Sequence, residues 1–341
     1  MKNLIKAAAL LFLICSYSGI SAQSVTKRLM GLSKADHKLV IVDPANLKVI
    51  GKVPVGPDPH EVAVSSDGKT AYVSNTGSGF FHRIDVIDLE KQKPKDTIDT
   101  RPLIGPHGIT FVNGKLWFAA QGAKAVGVYD LQASKLELGI GTGQERTHML
   151  YVTHNAKRII TTNVGSGTVS IFNYVQLPPT VTPMGYTLPT AKPYWDWVQT
   201  LVPFKPGNEG YAISPDEKEF WTATPVDGSI GVISLSDAKV IQTIDAKILG
   251  ANRLAYTPDG NMVLISSLRT GDLYFYDAHT RKEIKHINIG RGCAHVLIDQ
   301  QGLHAYVSCT PDNYIAVVDL KNLSMTGKID IGGRPDGLSW D

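Results

Sequence analysis

Residues 61–89 read EVAVSSDGKTAYVSNTGSGFFHRIDVIDL. Apolar and small polar side chains alternate, break at Ser66-Asp67-Gly68, resume as TAYVSN, break again at TGSG, and end in a β-branched run closing on Asp88. Alternation of period two, bounded by residues that suit turn dihedrals, predicts short strands joined by tight turns. The same order recurs in GITFVNGKLWFAAQ with VGVYDL, MLYVTHNAKRIITTN with VSIFNY, GYAISPDEKEFWTAT with IGVISL, RLAYTPDGNMVLISS with LYFYDA, and HVLIDQQGLHAYVSC with IAVVDL. A fourth alternating segment, of the type LKVIGKVPVG, completes each unit.

Six units are thus complete, and a seventh is divided between the ends of the chain. RPDGLSWD (334–341) supplies its opening strand, and RLMGLSKADHKLVIVDPANLKVIGKVPVG (28–56) the three that follow. Four-stranded repeats of about 40–45 residues are the sequence sign of propeller blades. The expected fold is therefore all-β: a seven-bladed β-propeller whose final blade is closed by N- and C-terminal strands. A ring of this kind leaves no long open sheet edge.

TAYVSN (Thr70–Asn75) and HAYVSC (His304–Cys309), each preceded by a Gly-x-x-Pro-His-like turn and a Ser-Pro-Asp-Gly-like hairpin, resemble the YVTN-repeat, YncE-like family of exported β-propellers. The resemblance spans essentially the whole mature chain. It implies the fold and says little about activity, because the family's repeat describes architecture.

The chain opens MKNLIKAAALLFLICSYSGISAQS, two lysines and an apolar run followed by small residues, which reads as a secretory signal peptide over residues 1–22. Its apolar run is too short to span a bilayer, and Ile14 stands where a lipoprotein signal before Cys15 wants a small residue. The expectation is one domain over 23–341, periplasmic or secreted, monomeric, and off the membrane once the signal is cleaved. A net charge of +3 with 19% charged residues, spread without runs, offers no basic stripe for nucleic acid.

Aligning the units on their turns places His60, His107, His148, Glu209, Asn252, Ala294 and Asp336 in one column, followed by Glu61, Gly108, Met149, Gly210, Arg253, His295 and Gly337. In a propeller this column begins the innermost strands and rings one mouth of the central channel. Three readings stand side by side. His60, His107, His148 and Glu209 could hold a divalent zinc, iron or copper ion. His148, Glu209 and Arg253 could instead act as acid, base and oxyanion partner in metal-free lyase or lactonase chemistry. The histidines could also recur simply because the repeat recurs, their rings bonding nearby carbonyls. The leading functional expectation is a small molecule or protein partner bound at the mouth, with Asn252, His295 and Asp336 completing the ring. An enzyme is the alternative, and a scaffold using the outer blade surfaces a third.

Residues 174–208 form an irregular insertion rich in proline and aromatics. If VTPMGYTLP is the fourth strand of its blade, the favoured expectation, Tyr194, Trp195 and Trp197 lie beside the mouth and could cover a ligand. If WVQTLVP is that strand, they lie on the opposite face. Cys293 and Cys309 are equidistant from the turn near residue 301 and should face one another across a hairpin. Disulfide and thiol pair both satisfy that geometry.

Overall fold

The computed structural model describes residues 27–179, 185 and 191–341. The expected signal peptide and part of the insertion lie outside these residues. Among them, 28 strands form seven four-stranded antiparallel sheets. Blade 1 runs from its inner strand, Pro59–Val64, to its outer strand, Lys93–Asp99. Blades 2 to 6 begin at Pro106–Val112, Thr147–Val152, Tyr211–Ile213, Ala251–Tyr256 and Cys293–Ile298.

Blade 7 is composite. Pro335–Trp340 is its inner strand and pairs with Leu29–Ser33, which is followed by Lys38–Asp43 and Lys48–Pro54. The Arg28 backbone N–H and Nε donate to the Asp341 carboxylate at 2.7 and 2.5 Å, and Asp341 N–H returns a bond to Arg28 O. The seventh blade is thus closed by the two ends, as the split repeat predicts.

The middle strands of each blade are apolar on both faces because each face meets another sheet. Val40 and Val42 pack toward Ile315 and Val317 of blade 6, whereas Leu39 and Ile41 pack toward Val62 and Val73 of blade 1. Seven apolar clusters fill the seven gaps between neighbouring blades. Outer strands alternate with a mostly exposed face, as in the burial of Lys48–Pro54. The recurring aspartates at the ends of the third strands cap turns: Asp88 accepts Lys91 N–H, Asp130 accepts Gln132 and Ala133 N–H, and Asp277 accepts His279 and Thr280 N–H.

The insertion corrects one expectation. The outer strand of blade 3 is Tyr194–Pro203, paired residue for residue with Thr168–Leu177 from Thr168↔Pro203 to Leu177↔Tyr194. The third strand runs away from the mouth, so the segment joining it to the fourth leaves from the opposite face. Tyr194, Trp195 and Trp197 therefore sit far from the channel mouth, on a hairpin that outreaches the second strand, Arg158–Asn163. Trp195 stacks on Tyr174 at 5.5 Å, with Lys157 Nζ 5.6 Å from its ring. Trp197 packs edge-on to Trp117 of blade 2 at 6.2 Å. A cover over the channel is excluded for all three.

Candidate functional site

The site is built by a break in alternation. In blade 1 Pro59 pairs with Asn75 and Val62 with Val73, so His60 and Glu61 together oppose the single residue Ser74. This bulge turns two adjacent residues toward the channel where a regular strand would show one. Equivalent register shifts fall at His107-Gly108, His148-Met149, Asn252-Arg253, Ala294-His295 and Asp336-Gly337.

A hydroxyl on the second strand holds several of these bulges. Ser74 Oγ accepts Glu61 N–H at 3.2 Å and donates to His107 O of the next blade at 2.7 Å. Thr162 links Met149 N–H to Glu209 O, and Ser266 links Arg253 N–H to Ala294 O. Ser308 donates to Asp336 O at 2.6 Å. Each bridge fixes one blade's ring residue against the next, so the ring's geometry is set by backbone rather than by flexible side chains. Glycines occupy the second column where blades approach most closely: a Cβ on Gly337 would lie 2.3 Å from His60 O.

Two residues before each ring residue, the backbone at the rim is left-handed in six blades. Gly105, Gly207, Gly250 and Gly292 have φ of 70°, 88°, 78° and 55°, as glycine allows without cost. Arg146 and Arg334 hold the same position at 55° and 57°. For a residue with a Cβ this conformation costs roughly 1–2 kcal/mol.

These elements enclose a cavity of about 1010 Å³ that draws residues from every blade. On one side Lys34, from the turn within blade 7, donates to His60 Nε2 at 2.8 Å and pairs with Asp336 at 3.1 Å. Acceptance at Nε2 leaves the His60 proton on Nδ1, which faces Asp58 O at 3.2 Å. His60 meets His107 edge-on at 4.8 Å, and His107 lies against His148 with ring centres 3.7 Å apart and planes tilted by 35°. His148 places Nε2 3.0 Å from Glu209 and Nδ1 2.8 Å from the side-chain amide of Gln121.

Burial, with the nearby charges of His148, His60, Arg253 and Lys34, pushes the His107 imidazole well below the usual histidine range. Burial lowers His148 too, against the opposing pull of Glu209. A neutral His148 donates to Glu209 and requires the Gln121 amide to turn its NH₂ toward Nδ1, because a neutral ring has one donor and one acceptor.

The floor is Arg253, 94% buried, on Glu61, 96% buried, with Nη2 and Oε1 2.5 Å apart. Burial alone would raise the Glu61 carboxyl; the guanidinium, with His295 at 3.5 Å, overcomes it and holds Glu61 down to about 2. Burial would likewise weaken the charge of Arg253, but Glu61, Glu209 and Asp336 more than restore it. Four buried nitrogens have no hydrogen-bond partner among the described residues: His107 Nδ1, Arg253 Nε, Arg253 Nη1 and His295 Nδ1. His295 and Met149 also border a smaller cavity of about 260 Å³, and Arg253 lines both.

The column predicted from sequence is therefore assembled, with Ala294 as its one side chain lacking polar atoms. The ring histidines lie ring against ring, however, rather than aiming nitrogens at one point. His60 Nε2 is engaged by Lys34 and both nitrogens of His148 are engaged. Among the described residues no group of three or more His, Cys, Asp or Glu side chains is arranged to hold a metal ion. An ion on His60, His107, His148 and Glu209 would require these bonds to be exchanged for metal bonds.

Cys293 and Cys309 pair directly across their strands and stand as free, buried thiols with sulfurs 3.5 Å apart. Lys34, Gln121, Arg146 and Arg334 were missed. They come from loops outside the aligned column, and only the left-handed rim position, glycine in four blades, could have marked the two arginines.

No protein-family model matches the chain, and no curated protein matches its sequence. Solved structures do. A Bacteroides fragilis protein provisionally assigned as a 6-phosphogluconolactonase is 16% identical, with a TM-score of 0.71, over 94% of this chain and 99% of its own. A functionally unknown protein from Desulfotomaculum acetoxidans is 12% identical over 92% and 98%, with a TM-score of 0.69. Hydrazine synthase from Kuenenia stuttgartiensis is 14% identical over 82% and 89%, with a TM-score of 0.64. At these identities the likeness establishes the propeller fold alone.

Proposed function

We propose that the protein is an exported propeller of the YVTN type that binds a small polar ligand at the channel mouth. One observation carries this reading: Arg253 and His107 line a cavity of about 1010 Å³, and Arg253 Nε and Nη1 and His107 Nδ1 have no hydrogen-bond partner among the described residues. A buried polar group left unmade costs roughly 1–3 kcal/mol, which a ligand supplying acceptors would recover. The fixed backbone ring favours recognition, because the donors are held in place before the ligand arrives.

The test is a calorimetric titration of sugars, sugar lactones, organic acids and amino acids against the wild type and His107→Gln. Binding by a panel member that weakens about tenfold in the variant supports the reading, a loss equivalent to about 1.4 kcal/mol. If every bound member binds both proteins equally, the channel is not the site.

A second reading, opening of a lactone or a related acid/base reaction, is favoured by His107. It alone among the three ring histidines keeps an unpartnered nitrogen, and beside it His148 is oriented by Glu209. An imidazole kept neutral by its surroundings can donate to an oxyanion or accept a proton. Turnover of a lactone in the same panel, abolished in His107→Gln, would favour this reading over binding alone.

A further inference from the structure

We infer that the ligand of the channel mouth is an anion, a small molecule bearing carboxylate or phosphate groups, gripped from above by Arg146 and Arg334 and from below by Arg253. This inference rests on the ligand-binding reading and gives it a chemical class.

The carboxylates around the cavity are all engaged. Glu145 pairs with Lys124, Asp58 and Asp336 face Lys34, and Glu209 bonds His148. Glu61, beneath the floor, pairs with Arg253. Arg146 and Arg334 line the same cavity as exposed residues, and their side chains form no hydrogen bond or ion pair among the described residues. Arg253 itself uses one terminal nitrogen for Glu61 and leaves Nε and Nη1 without a partner. Uncommitted positive charge is therefore what the chamber offers an incoming molecule.

The two rim arginines hold equivalent positions in their blades. Arg146 and Arg334 occupy the left-handed rim position that four other blades fill with glycine. The shared conformation puts both side chains at the same place in the repeat, two residues before the ring column. The three arginines belong to blades 3, 5 and 7 and so line the one cavity from alternate blades. Planar guanidinium groups suit the geometry of carboxylate and phosphate oxygens.

The test uses the full-length protein with inorganic phosphate and citrate as anionic probes, glucose as a neutral probe and choline as a cationic one, each titrated calorimetrically. Arg146→Gly and Arg334→Gly are expected to weaken citrate or phosphate by about tenfold each, with an unfolding midpoint unchanged or raised. Arg146→Lys and Arg334→Lys, which keep both strain and charge, are expected to retain part of the affinity. Unchanged anion affinity in the double glycine variant overturns the inference. So does a wild type that binds glucose or choline and neither anion, a result that leaves the ligand site itself standing. A wild type that binds no probe here and no member of the wider panel removes both together.

Discussion

Glu61→Gln isolates what holds the channel floor. The substitution keeps the size of the side chain and deletes its charge, leaving Arg253 buried and positive with Glu209 and Asp336 as its remaining counter-charges. The structure supplies two routes to the magnitude. Glu61 is held at about 2 against an ordinary 4.5, and 2.5 pH units at 1.36 kcal/mol each give about 3 kcal/mol. Removing one partner of a buried ion pair independently costs roughly 3–5 kcal/mol. Spread over roughly 315 residues at about 2.1 cal/mol/K each, a loss of that size lowers the melting temperature by about 5–8 °C.

The sign follows from the depressed carboxyl. Its contribution is complete above pH 4.5 and drains away as the pH falls toward 2. Urea unfolding from pH 2 to 7 should therefore show a wild type that loses stability through that window more steeply than Glu61→Gln, with the two curves converging at the acid end. Adding Arg253→Met should recover most of the loss, since a paired replacement leaves no orphaned charge. A single variant within about 1 kcal/mol of the wild type at pH 7, or parallel pH curves, would refute this account of the floor.

Other outcomes follow from the same geometry. Ser266→Ala should cost about 1–3 kcal/mol in urea unfolding, because Ala294 O and Arg253 N–H both lose their partner. Blade 2 has Ala119 where blade 1 has Ser74, so Ala119→Ser should bridge toward His148 O and gain about 1 kcal/mol in the same assay. Cys293, its thiol pushed up by Cys309 and by burial, should resist native alkylation and react after unfolding, as read by intact mass. Trp195→Ala should leave the affinity of any channel ligand unchanged in calorimetry, since the residue sits on the far face.

The blades were legible because turn residues recur at fixed places between short strands, and Tyr72, Trp117, Phe220 and Tyr306 mark the second strand in four repeats. The mouth column was legible for the same reason, being fixed by the turns on either side. What escaped reading was set by contacts distant in sequence. Lys34 reaches His60 from a turn of blade 7, Gln121 reaches His148 from a loop of blade 2, and Arg253 finds Glu61 across the ring. The outer strand of blade 3 was misplaced because VTPMGYTLP and WVQTLVP both resemble strands locally. The choice belonged to the ten-residue third strand, whose length and direction select Tyr194–Pro203 as its partner.

The composite blade imposes an order on the chain's birth. Leu29–Ser33, buried along its whole length in the finished ring, is synthesised early, whereas its partner Pro335–Trp340 comes some 300 residues later. Until those last residues arrive, an apolar strand edge stays open and no sequence of blade-by-blade assembly can satisfy it. Closing the ring therefore joins two segments some 300 residues apart in sequence. A ribosome stalled before Pro335 would hold a chain with most of its blades encoded and its first hydrophobic edge still exposed to any chaperone that reads one.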